Sequence, residues 1–559
     1  MSSPYKKSDA SGLKQRPGDR AREARGWEKL FPIFIHRNSE GVQVVVYWSR
    51  LLMTLLIFAL VSLATLPFAA WAYVYYYRSV KTVNYLHLAL PWRWDEYRVL
   101  RGAHYIEGAK ELLATEQWRG AYLNLRVGLQ KDPANREGRL MLAHFYSMLR
   151  RYEVAEETLV EGLAYHRNDG SYLQAMMQFL LRLQSDDRVI AVASSLIESP
   201  DVLETVKRSA AYYAATAHVY RGRYDTAETL IEAHQLAGIR EGRMLLARID
   251  WECGYPELAL LKLRQLRALR PADDEVAGME AGYLREAGRF DEARRLNLLR
   301  QIFSPKSAEP RIELLRLLTE TGDESAAARE IEDLWRDFSD DASALYSLAE
   351  YAANRGETAL VRRVYEHCRL RNMPWDVPAL LTVESCIVGG RYQEGLDRAR
   401  ELLRENPEWN RRHYALFNGL QAIALHGLGD RQAAQLFVRN FLGQADVRSD
   451  QLASVSRRLM KVGAPNDARE MLARAVQNDP LNQAALSQLI ELDLDAGRVD
   501  AVPAAVRKLI TMRRPSPELL ARARRELGRD RWLFVEGRTP ALRALEKALA
   551  GAPGGSATL

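Results

Sequence analysis

Residues 288–293 read GRFDEA, and the pattern returns as GRYDTA at 222–227, GRYQEG at 390–395, GDRQAA at 429–434 and GRVDAV at 497–502. Taking the last residue of each such turn as a register mark gives Ala121, Ala155, Ala191, Ala227, Ala259, Ala293, Ala327, Val361, Gly395, Ala434, Ala468 and Val502. Seven of the eleven intervals are 34 residues and the others are 36, 36, 32 and 39. A fixed period of this size predicts stacked supersecondary units rather than one globular core. In nine units a glycine stands five residues before the mark. That position lies just past a helix, where a left-handed residue closes the C-terminus without a Cβ penalty. Twelve residues after the mark, Pro133, Pro271, Pro407 and Pro480 stop the second helix. Between these signals the apolar spacing is helical: Leu142, Ala143 and Tyr146 line one helix, and Ala155, Leu159 and Gly162 the next.

A 34-residue helix–turn–helix with small residues at these offsets resembles the tetratricopeptide family, in about twelve units over residues 102–511. The unit marked by Ala191 lacks the glycine, and the one marked by Ala434 carries an insertion around 407–413. GRTPAL at 537–542 is a degenerate last copy, so 512–550 is expected to cap the array and 551–559 to be disordered. The resemblance implies an all-α solenoid, a right-handed superhelix of helix pairs whose first helices line a groove. On this register the inner face carries Tyr212, Arg248, Trp251, Arg285, Arg316, Tyr346, Glu350 and Arg457, the residue types that anchor interfaces. The family's carboxylate clamp for peptide C-termini is not evident, because its basic and Asn positions do not recur together. The helical stretch at 172–183 is apolar nearly all round. Buried core and a docking patch built on Met176, Met177 and Leu180 are both open there.

The N-terminal fifth of the chain is different. Ten of the first fifty residues are basic against five acidic, and five against two follow over 51–101. Of the net charge of +7 this leaves −1 on the long body. A body so nearly neutral offers no stripe to neutralise phosphates, so no nucleic acid is expected as a partner. Residues 1–50 are expected to be a basic, largely disordered tail with apolar interfacial patches at 31–35 and 42–48. Between 51 and 77 there is no charged residue, enough for one transmembrane helix with an aromatic belt at its exit. Residues 78–101 then form a juxtamembrane connector. A cleavable signal is disfavoured by the long leader and the bulky aromatics around Ala70 and Ala72. Positive charge before the span predicts a cytoplasmic N-terminus and a periplasmic solenoid at a bacterial inner membrane.

The three cysteines form no CxxC, the ten histidines form no ligand set, and no phosphate loop or nucleophile elbow is present. No catalytic, metal or cofactor site is therefore expected, and the chain reads as a non-enzyme. The expected function is a membrane-anchored scaffold that docks peptides or domains of other proteins beside a bilayer, in envelope machinery for polysaccharide synthesis or export, secretion or complex assembly. An integral subunit of one stable membrane complex and a glycan-binding solenoid are the alternatives. Self-association is left open.

Overall fold

The structure is a computed structural model and describes residues 33–38, 41–46, 48–78, 80–444 and 447–550. It divides into two compact units, Met1–His166 and Arg167–Leu559. Helices dominate both. One element departs from the all-α expectation: β1 (Ile33–Asn38) and β2 (Gly41–Val46) pair antiparallel, from Ile33 opposite Val46 to Asn38 opposite Gly41. Ile33, Phe34 and Ile35 in one run and Val42, Val44, Val45 and Val46 in the other are β-branched or aromatic residues that suit an extended backbone. The expectations for residues 1–32 and 551–559 lie outside the described residues.

A helix follows over Trp48–Ala72 and continues as a π-helical turn at Tyr73–Tyr77. Its segment Leu51–Tyr77 is long and apolar enough to cross a membrane, judged by length and composition. At its far end the chain folds back. Val74, Val80 and Val83 form a small buried knot with Trp71, Leu88, Tyr97 and Leu100 around it. The Trp71 indole Nε1 donates to the Val83 carbonyl at 2.9 Å. The helix Trp94–Ala114, which supplies Tyr97 and Leu100, opens the array of repeats.

The repeats are helix pairs joined by the turn the sequence marks. All nine glycines at the expected position are left-handed, from Gly222 (φ +71°) to Gly497 (φ +65°), as is Gly537 (φ +73°) in the terminal copy. Glu116 and Arg150 hold the same conformation (φ +58° each) without being glycine, at a local cost of about 1–2 kcal/mol each. The marks themselves are buried: Ala121, Ala155, Ala227 and Ala259 have no exposed surface, because a larger side chain there would separate the two helices.

One mark moves. The left-handed residue of the third repeat is Gln184 (φ +57°), so its mark is Val189, not Ala191. Asp186, which the earlier register placed at the glycine position, instead opens the helix Asp186–Glu198. The inserted residues after Pro407 form a one-turn helix, Trp409–Arg412, pinned by Trp409 stacking on Trp375 at 5.2 Å. At the end of the chain, Ala541 and Leu545 of the degenerate copy join one core with Val506, Leu509 and Leu519.

The docking patch on the Met-rich helix is overturned. In Gly170–Arg182, Met176, Met177 and Leu180 have no exposed surface. The helices Asp186–Glu198 and Glu204–Tyr220 pack on it. A helix apolar nearly all round is here covered by two neighbours and is core.

Candidate functional site

Three first helices of consecutive repeats, Glu204–Tyr220, Arg240–Glu252 and Asp274–Glu286, bring their last turns to a common edge of the second unit. Arg248 sits over the Tyr220 ring, 5.1 Å from its centroid. Trp251 stacks face to face on Tyr283, with centroids 4.1 Å apart and planes within 3°. Its Nε1 donates to Glu286 Oε2 at 3.1 Å. Burial pushes the Tyr283 phenol well above its usual range; Glu252 and Glu286 push the same way and Arg248 opposes them. The phenol therefore stays neutral through the physiological range. Arg285, one repeat on, lies 3.9 Å from Glu320. Two of the residues singled out from the sequence, Arg248 and Trp251, thus belong to one aromatic and cationic cluster, with Arg285 on the same helix as Tyr283.

The remaining candidates are scattered. Tyr212 packs beside Tyr213, ring centroids 5.3 Å apart, against the core around Ala211 and Ile231. Burial raises its phenol pKa. Arg316 is exposed and lines a polar cleft of about 530 Å³ with Lys306, Glu313 and Asp341. The Tyr346 hydroxyl donates to the Pro374 carbonyl at 2.6 Å and so serves a turn of its own repeat array. Glu350 and Arg457 are exposed. Next to Arg457, Arg458 is the residue that turns inward, pairing with Glu384 from the helix Asp376–Val388. Sequence position alone did not separate the two arginines.

A further set of residues on the same edge was not singled out from the sequence. Residues 511–514, a strap between the helices Val502–Ile510 and Pro517–Leu527, lie against the early repeats of the same unit. The Arg513 guanidinium forks onto Asp186, with Nε 3.2 Å from Oδ2 and Nη2 3.0 Å from Oδ1. It also donates to the Leu181 carbonyl and lies 3.9 Å over the Tyr220 ring, the ring that Arg248 also approaches. The Arg514 backbone N–H donates to the Tyr220 carbonyl at 2.9 Å. Its Nη1 reaches the Tyr224 hydroxyl at 2.5 Å and Glu252 Oε2 at 2.8 Å. In the other direction Arg221 donates to the Thr511 and Met512 carbonyls and to Asp187. Asp186 is 1% exposed; burial raises its carboxyl pKa against the pull of Arg513 and Arg221. The only hints in the sequence are the doubled arginine beside Pro515 and the doubled aspartate at 186–187.

Comparison with known proteins supports the repeat reading. Residues 112–178 match the sequence profile of the tetratricopeptide repeat. No curated protein matches the chain. Among solved structures, Pseudomonas aeruginosa pilF is 16% identical, over 43% of this chain and 92% of its own, with a TM-score of 0.27. A tetratricopeptide repeat protein from Parabacteroides merdae is 14% identical over 45% of this chain and 97% of its own, with a TM-score of 0.28. The Cut9–Hcn1 assembly of the APC/C is 12% identical over 82% of this chain and 87% of that one, with a TM-score of 0.26. Likenesses at this level say nothing of function. Tetratricopeptide repeats generally bind other proteins and are generally non-catalytic. Among the described residues no group of three or more His, Cys, Asp or Glu is placed to hold a metal ion.

Proposed function

We propose that the chain is a membrane-anchored scaffold that docks other proteins on its tetratricopeptide-type repeats, within bacterial envelope machinery. The observation that carries this reading is the partly buried cluster of Arg248, Trp251 and Tyr283 on the ends of stacked first helices. Arginine and large aromatics on a preorganised surface contribute most of the energy in protein interfaces. Leu51–Tyr77 would confine that surface to the neighbourhood of a bilayer. In this reading the N-terminus is cytoplasmic and the repeats face the periplasm, because ten basic residues precede the span.

The test has two parts. A reporter active only outside the cytoplasm, fused after Leu559, is expected to be active, and one active only inside it to be silent; the opposite pattern refutes the orientation. A photo-crosslinking residue at position 251 is then expected to yield a discrete adduct that weakens at least tenfold when Arg248 is replaced by Ala. Identical adducts from position 251 and from the exposed position 362, on the second helix Thr358–Leu370 of another repeat, would refute docking at the cluster.

A further inference from the structure

The strap at 511–514 is seated in a manner that depends on its being Arg-Arg. Its acceptor is negative from several independent sources. Asp186 and Glu252 supply carboxylates. The Leu181 and Tyr220 carbonyls lie at the C-terminal ends of the helices Gly170–Arg182 and Glu204–Tyr220, where the helix dipole leaves partial negative charge. Arg513 uses its planar fork for the bidentate pair with Asp186 and its face for stacking on Tyr220; lysine can do neither. The backbone is read as well, by Arg221 on the carbonyls of Thr511 and Met512 and by the Tyr220 carbonyl on the Arg514 N–H. Fit is close: a Cβ added at Gly222 would meet the Arg514 side chain at 3.4 Å. Pro515 disfavours helix at Arg514, and Pro517 stands at the first position of Pro517–Leu527, which Ser516 caps.

We propose that Asp186, Tyr220, Tyr224 and Glu252, with Arg221 as backbone reader, form a recognition site for an extended Arg-Arg segment, and that the chain fills this site with its own Arg513–Arg514. The proposal goes beyond the scaffold reading and does not depend on it. The site suits a cation: Asp186 is buried, its neighbour Arg221 approaches only to 3.8 Å, and the bidentate pair that compensates so buried a carboxylate comes from Arg513. Filling it in cis ties the last repeats of the second unit to its first ones. The separation in sequence is 327 residues between Asp186 and Arg513 and 262 between Glu252 and Arg514. Gln184 adds a parallel tie by donating to the Leu481 carbonyl at 2.9 Å.

The site is tested with a labelled synthetic peptide, LITMRRPSP, corresponding to residues 509–517, added to the full chain. In the wild type the tethered strap competes at an effective concentration in the millimolar range, so micromolar peptide is expected to show no binding. In R513A/R514A the site is vacated, and saturable binding is expected. Binding there should weaken at least tenfold for the peptide with both arginines replaced by lysine, and at least tenfold again when D186N is added to the protein. X-ray scattering should report a larger radius of gyration for R513A/R514A than for the wild type. A folded R513A/R514A that binds no peptide, or binds the Lys-Lys peptide equally well, overturns the proposal. Should that variant fail to fold, R513K/R514K keeps both charges while losing the fork. Failure of the Arg-Arg peptide to bind R513K/R514K at millimolar concentration, where it outcompetes the weakened tethered Lys-Lys strap, overturns the proposal equally.

Discussion

The same substitution, Gly to Ala, is expected to have opposite effects on the first helices of two adjacent repeats. Gly242 lies in the first turn of Arg240–Glu252, and Gly282 lies inside Asp274–Glu286. At Gly282 an added Cβ meets nothing within 4 Å. Replacing it removes the entropic cost of glycine in a helix, worth about 1 kcal/mol of stabilisation. At Gly242 the Cβ would sit 2.0 Å from the Leu236 carbonyl oxygen and 2.6 Å from its carbon. That oxygen belongs to the backbone of the short connector Leu236–Gly238, and Leu236 is fully buried, so no flexible side-chain tip can give way. Overpacking of this kind costs about 1–3 kcal/mol, so the two variants should differ by about 2–4 kcal/mol. Repeat arrays open locally, so the measurement is amide hydrogen exchange in peptides covering 236–252 and 274–286. Exchange over 236–252 should accelerate by about fivefold or more in G242A, since about 1.4 kcal/mol corresponds to a factor of ten. Over 274–286 it should slow in G282A. A G242A chain protected as well as wild type would refute the packing of this connector against the helix.

Asp273 caps Asp274–Glu286 and pairs with Arg240, which holds its carboxyl below the usual value despite the opposing effect of burial. A depressed carboxyl contributes stability above its unfolded pKa and loses it as pH falls through the folded one. D273N keeps a good cap but no charge. Between pH 5 and pH 2 the variant should lose less thermal stability than wild type, and parallel melting curves would refute the pairing. M177A should cost about 2–5 kcal/mol in urea denaturation, as for a fully buried side chain, and an effect under 1 kcal/mol would restore the surface reading.

The turn at 288–293 carried the architecture because its glycine has a single physical job, a left-handed backbone, that few other residues do cheaply. Where Gln184 took over that job, the register slipped by two residues and Asp186 was misplaced. The hairpin at 33–46 was not legible because short apolar runs read alike as interfacial segments and as strands. The register, with the groove geometry the resemblance implies, was enough to place Arg248 and Trp251 near the end of one first helix. The Met-rich helix was ambiguous because its covering came from neighbours whose orientation local pattern does not encode. The strap was beyond reach for a related reason: contacts between residues some 260–330 apart depend on the accumulated rotation of many repeats, not on any local signal.

The valine knot at Val74, Val80 and Val83, with the Trp71–Val83 bond across it, leaves no free swivel between the apolar helix and Trp94–Ala114. Within the first unit these contacts join the two helices directly. Trp94–Ala114 has 21 residues and is therefore a lever about 30 Å long. A tilt of about 10° at the knot would carry its far end about 5 Å. Were the apolar helix to span a bilayer as proposed, a change of bilayer thickness that altered its tilt would be passed mechanically to the first repeat.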